Sequence, residues 1–246
     1  MKKISAIWLV IVLFTCCLTF CSSVVMAGLV VGAFKGKKAG HDAGHRIAVY
    51  WAKAIILLVP GWNARVSGME NIPVGRKFVM VANHESLTDI FVILLLGIQF
   101  RYLSKASMFK VPVIGQAMQA AGYIGVDRGN RRSQVAALKE CRRVVNEGTP
   151  MLFFAEGTRS PSGEMLPFKV GAFKLAHDTD AIILPICLSG TRELLVKGSI
   201  TPGKSDVKVV VLQPIPSLPG EGLEDWAARA RDCILNAKAS RVSVSV

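Results

Sequence analysis

The chain has 246 residues, 51% of them hydrophobic, and its 30 Lys+Arg against 17 Asp+Glu give a formal charge of +13 at neutral pH. That apolar content, without polar low-complexity runs, excludes a disordered chain, and the confinement of long uncharged runs to the beginning argues against a many-pass transporter. The basic balance calls for an anionic partner, whether nucleic acid, anionic lipid or a phosphorylated substrate.

Residues 4–34 contain no Asp, Glu, Lys or Arg, and at about 1.5 Å per residue they exceed a hydrocarbon core of about 30 Å. A cleaved signal peptide competes with an anchor here, because Lys2 and Lys3 precede the run and Val25-Met26-Ala27 is a tolerable cleavage site. The apolar character continues, however, through Leu29, Val30, Val31 and Phe34 into the basic Lys35, Lys37, Lys38 and Arg46, as in an anchor. The excess of basic residues after the run places the downstream chain on the cytoplasmic face, at the inner membrane in a bacterium. A second apolar segment, Ile47 to Pro60, is short for a span and reads as an interfacial helix. The pair either crosses the bilayer or forms a hairpin within one leaflet. Residues 1–62 are therefore expected to anchor the chain and residues 63–240 to form a catalytic domain.

His41 and His45 are four apart on one helix face, yet with a single Asp42 nearby and no H-E-x-x-H pattern no metal site is expected. The six cysteines form no C-x-x-C pair. Cys141, Cys187 and Cys233 are expected as buried apolar fillers of a reduced, cytosol-facing domain.

From about residue 65, short runs rich in Val, Ile and Phe predict strands at 77–82, 100–103, 123–126, 151–155, 182–188 and 207–212. Amphipathic segments predict helices at 87–96, 113–121, 131–147, 171–178 and 223–239, and residues 241–246 read as a frayed tail. Strands separated by helices imply an α/β fold, with a mostly parallel or mixed sheet flanked by helices.

Three polar constellations stand where strands give way to loops. In the first, Asn83-His84-Glu85-Ser86-Leu87-Thr88-Asp89, His84 and Asp89 would be about 140° apart on one continuous helix, so a turn must bring them together. Ser86 as a helix cap with Asp89 three residues on leaves His84 on the loop, where the imidazole can fold back onto the carboxylate. Such a pair fixes the tautomer and stabilises the imidazolium when the ring takes a proton, without any protein nucleophile. The second, Gly122 to Arg128 followed by Arg131 and Arg132, suits phosphate oxygens or, equally, a basic surface loop. In the third, Phe154-Ala155-Glu156-Gly157-Thr158-Arg159, Gly157 permits a tight turn that aims Glu156 and Arg159 at one pocket, or lets them form a loop salt bridge. Lys169 stands at the start of the next predicted helix, where amides also favour an anion.

In order and spacing these blocks resemble the glycerophospholipid acyltransferases, and specifically the 1-acyl-sn-glycerol-3-phosphate acyltransferases. Asn83-His84 with Asp89 matches the H-x₄-D block, Gly122–Arg128 resembles the second, Phe154–Arg159 the third, F-P-E-G-T-R, and Ile182-Ile183-Leu184-Pro185-Ile186 the fourth. Ala155 replaces the usual proline and Gly125 a frequent aromatic. The resemblance implies transfer of a fatty acyl group from acyl-CoA or acyl carrier protein to lysophosphatidic acid, giving phosphatidic acid in phospholipid biosynthesis. It assigns His84 as general base and Asp89 as its orienting partner. Arg128 and Arg159 bind the acceptor phosphate with Lys169 as a weaker contributor, and Glu156, Gly157 and Thr158 order the glycerol and the loop. Membrane lipid is an expected partner, and no cofactor or metal is required. Acylation of another acceptor (a different lysophospholipid, glycerol 3-phosphate or a lipid amine) and a non-catalytic protein that docks anionic membranes are the alternatives. Serine hydrolysis lacks a G-x-S-x-G elbow, and nucleic-acid binding lacks a recognition motif.

Overall fold

The computed structural model describes residues 2–160, 164–194 and 203–242; the tail expected at 241–246 falls outside them from residue 243 on. In chain order the elements are α1 (Lys2–Lys35), α2 (Lys37–Leu58), β1 (Trp62–Ser67), β2 (Phe78–Ala82), α3 (Asp89–Leu94), β3 (Arg101–Lys105), α4 (Ile114–Ala120) and β4 (Ile124–Val126). There follow α5 (Arg131–Asn146), β5 (Met151–Phe154), α6 (Gly171–Asp178), β6 (Ile182–Ser189), α7 (Thr191–Leu194), β7 (Ser205–Val211) and α8 (Leu223–Val242). Each strand and helix expected between 77 and 239 is present, with ends shifted by three residues or fewer.

Among the described residues seven strands form one mixed sheet in the order β1-β7-β6-β2-β5-β3-β4. All neighbours run parallel except β6 and β7. Central β2 is buried at every residue, as a strand covered on both faces must be, and its side chains alternate between two cores. Met80 and Ala82 face a layer built from α1, α2 and α3, whereas Val79 and Val81 face α5, α6 and α8.

The N-terminal helices are thus a layer of the same core as the sheet. They turn back on each other at Gly36, whose φ is +86°, and approach closely where a Cβ on Gly40 would stand 2.4 Å from the Gly28 carbonyl oxygen. One stripe of α2, including Gly44, His45, Ala48, Val49, Ala52 and Ile55, is buried, while Phe14, Leu29, Phe34 and Leu57 point outward and are exposed. Phe14–Lys35 of α1 is long and apolar enough to cross a membrane. His41 and His45 pack inward: the His41 ring lies over Gly122, and His45 Nδ1 and Nε2 lie 3.0 Å from the Tyr123 hydroxyl and the Ile98 carbonyl.

β1 was not anticipated. Its Asn63, Arg65 and Ser67 are exposed, the polar dressing by which an edge strand avoids pairing with other chains, and that dressing hides it from a search for apolar runs. The short α7 was likewise not foreseen. The carboxyl ends of parallel β2, β5 and β4 open into the three polar loops, at the edge where such sheets carry their sites.

Candidate active site

His84 leaves β2 through a loop that α3 closes. Asp89, the first residue of α3, is fully buried and its Oδ2 lies 2.7 Å from His84 Nδ1. The same oxygen accepts the backbone N–H groups of Glu85 at 2.7 Å and Ser86 at 3.0 Å. The Ser86 bond reproduces the carboxylate contact of the expected capping box, but α3 starts at Asp89 with Thr88 as its N-cap and no side-chain cap bond, so Ser86 does not cap the helix. The hydroxyl half differs, for Ser86 Oγ meets the N–H of Thr88 only at 3.4 Å. Oδ2 is saturated by these donors, while Oδ1 is buried without a partner among the described residues. The imidazole is further fixed by stacking on Phe154, with centroids 4.2 Å apart and planes 22° from parallel. The register that sets Phe154 beside Ala82 accounts for this contact.

Two neighbours hold the loop's backbone. Glu156 is buried, with Oε1 accepting the His84 N–H at 2.7 Å and Oε2 the Leu166 N–H at 2.8 Å. Expected to order the glycerol and the loop, it grips main chain with both oxygens. Asn83 is equally buried; its amide donates to the Leu188 carbonyl at 2.9 Å and accepts the Leu188 N–H at 2.8 Å, tying the end of β2 to β6. Asn83 Nδ2 also donates to Glu85 Oε1 at 3.1 Å. Burial raises the pKa of Glu85, opposed by the hydrogen bond and charge of Lys238.

The cationic residues gather around Gly157, at φ +71°. Arg128 donates to its carbonyl, and a Cβ there would stand 2.8 Å from the Lys169 side chain. Arg128 and Lys169 are exposed. Thr158 is exposed and Arg159 half-buried in the same turn; among the described residues no hydrogen bond or ion pair ties either to His84, Arg128 or Lys169.

The departures from the family blocks have local reasons. Ala155 donates its N–H to the Ala82 carbonyl at 3.2 Å, a bond that proline would forfeit. At Gly125 a Cβ would stand 3.1 Å from the Phe109 ring, so Phe109 occupies the space above that position. Nothing in the sequence pattern assigns Asn83, Phe154 or Lys238 an individual role. The strand register could have signalled Phe154, but nothing local marks Lys238.

An imidazole bonded through Nδ1 to a buried carboxylate keeps Nε2 available for a proton, and the nearby cations supply charge for an anionic group. Residues 63–189 match the sequence profile of the Acyltransferase family. A chloroplastic 1-acyl-sn-glycerol-3-phosphate acyltransferase of Brassica napus is 40% identical over 173 residues, 70% of this chain and 50% of that protein. One from Chlamydomonas reinhardtii is 36% identical over 219 residues, 87% of this chain and 63% of that protein. The chain thus spans about half to just under two-thirds of these relatives' length. The crystal structure of the 1-acyl-sn-glycerophosphate acyltransferase of Thermotoga maritima aligns with a TM-score of 0.73 at 25% identity, over 96% of this chain and 97% of that one.

Proposed function

The chain belongs to the acyltransferase family, and we propose that it moves a fatty acyl group from a coenzyme A or acyl-carrier-protein thioester to the sn-2 hydroxyl of 1-acyl-sn-glycerol 3-phosphate, giving phosphatidic acid. The observation that carries this reading is the 2.7 Å contact of His84 Nδ1 with buried Asp89, set beside the Arg128, Gly157 and Lys169 group. The names of the relatives support the choice of acceptor.

In this reading Asp89 holds the tautomer with Nε2 unprotonated, and Nε2 takes the proton of the acceptor hydroxyl. The hydroxyl oxygen bonds to the thioester carbonyl carbon, the C–S bond breaks, and the imidazolium returns its proton to the departing sulfur. Thiol and ester are the products, and no acyl-enzyme forms. Arg128 and Arg159, with Lys169, bind the acceptor phosphate. Glu156 acts on the loop through its grip on main chain. Phe14–Lys35 of α1 inserts in the bilayer, and the basic residues that follow hold the domain at the cytoplasmic face.

The test uses purified full-length protein in lipid nanodiscs with acyl-CoA and acyl-carrier-protein donors and a panel of acceptors. Thiol release should depend on lysophosphatidic acid and exceed that with glycerol 3-phosphate, other lysophospholipids or lipid amines. Release indifferent to acceptor, or none with either donor, rejects the reading.

A further inference from the structure

The loop that carries His84 is held from the far end of the chain. Lys238, on the last helix α8, pairs with Glu85 Oε1 across 153 positions of sequence. The Glu85 side chain is 11% exposed, and a carboxylate that far from water needs partners. Among the described residues it has two, Lys238 and the Asn83 amide, and the amide in turn grips Leu188 of β6. The backbone of Glu85 meanwhile donates to Asp89 Oδ2 at 2.7 Å. Side chain and main chain of one residue thus connect α8 to the carboxylate that orients the imidazole. Glu85 and Lys238 also line, with Asn83, His84, Glu156 and Arg192, the pocket beside the ring.

Building on the acyl-transfer reading, we propose that Lys238 is a positioning residue: by fixing the Glu85 side chain it aims the Glu85 N–H at Asp89 and keeps His84 and Asp89 in register. Asp89 Oδ2 is shared among three donors, so a loop that swings at Glu85 withdraws one donor from the carboxylate and alters the tilt of the ring. Lys238 touches neither reacting atom. Its removal acts on the rate of chemistry, with substrate binding left in place.

The experiment compares wild type with Lys238→Met, Lys238→Arg, Glu85→Gln and the Glu85→Gln/Lys238→Met double variant in nanodiscs. It reads kcat, both KM values and amide hydrogen exchange over residues 83–89. A displacement of about 1 Å at a reacting group costs on the order of 100-fold, so Lys238→Met should lower kcat by roughly 10- to 100-fold with both KM values within about twofold. Exchange at the Glu85 and Ser86 amides should quicken about tenfold. Lys238→Arg should recover at least about a third of wild-type kcat, and the double variant should be no slower than Lys238→Met, as for two ends of one contact. Unchanged kcat and exchange in Lys238→Met, or a raised KM with kcat intact, overturns the proposal. Glu85→Gln interrogates the same contact from the loop if the α8 variant does not fold. The two claims fail separately: a wild type without acceptor-dependent thiol release but with a responsive loop sinks acyl transfer alone, and an active wild type with an indifferent loop sinks the positioning role alone.

Discussion

The two sides of His84 are built differently. Toward Asp89, Asn83 and Glu156 the site resembles a protein core, its side chains buried and bonded to backbone. Toward Arg128, Lys169 and Thr158 it resembles a surface, with exposed groups gathered around a glycine turn. The contrast follows from what each side must do under the proposed reaction. A proton transfer is sensitive to fractions of an ångström and needs a base whose tautomer and tilt are fixed. A phosphate needs charge, and flexible cations supply it while remaining hydrated until a ligand arrives. Substitutions on the buried side should therefore act on turnover and stability, and those on the exposed side on affinity.

The largest effect is expected at the ring itself. General-base assistance is worth about 10²- to 10⁴-fold, so His84→Ala should lower kcat/KM by on the order of 10³-fold while the protein stays folded and membrane-bound. Retention of more than about a tenth of the activity would remove the ring from the mechanism. Glu156→Ala comes next. It orphans the His84 and Leu166 N–H groups, and leaving buried donors unsatisfied costs about 1–3 kcal/mol each. A kcat lower by roughly 10- to 100-fold together with a reduced unfolding temperature is expected. A variant that changed only the acceptor KM would make Glu156 a binding group and blur the two sides.

On the exposed side, Arg128→Ala and Arg159→Ala should each raise the acceptor KM about tenfold with kcat within about threefold, the pattern of lost ground-state binding. Lys169→Ala should do the same more weakly. If either Arg variant lost kcat and kept its KM, the division between fixed and reaching groups would be wrong for that residue.

The buried side was also the more legible in sequence. His84 and Asp89 sit within five positions of one another, and the impossibility of their meeting on one continuous helix already required the loop that is present. The α/β order was legible because strand and helix periods differ and Gly148, at φ +81°, stops α5 where expected. What stayed hidden depends on distant partners. Glu156 carries a charge suited to a ligand, and only the folded chain reveals that it holds the backbone of residues 84 and 166. Lys238 looks like any solvated helix lysine until α8 is laid against the loop. The N-terminal helices read as an anchor because hydropathy registers their outward face, whereas the buried stripe of Gly44, Ala48 and Ala52, with Gly44 against the end of α4 at Ala120, consists of small residues with little apolar signal.

That inward face gives the smallest prediction, and it extends the core-like construction into the hairpin. Burial, reinforced by the positive charge of Arg101, lowers the pKa of His45 to about 3, so the folded protein keeps this ring neutral between Tyr123 and the Ile98 carbonyl. An unfolded chain protonates the same ring near pH 6.5. Above that pH both states hold it neutral and the stability is fully present. As pH falls through 6.5 toward 3 the unfolded state takes up a proton that the folded state refuses, and stability declines by up to about 1.4 kcal/mol per pH unit. Between pH 7.5 and 5 the loss from this group should reach about 2 kcal/mol. Melting curves of wild type and His45→Gln in one detergent at both pH values isolate it. The variant should be less stable at pH 7.5, having lost the fitted ring, yet fall less on acidification. Parallel losses in the two proteins would mean that His45 is protonated within the fold, and that the face of α2 against the sheet is wetter than its burial implies.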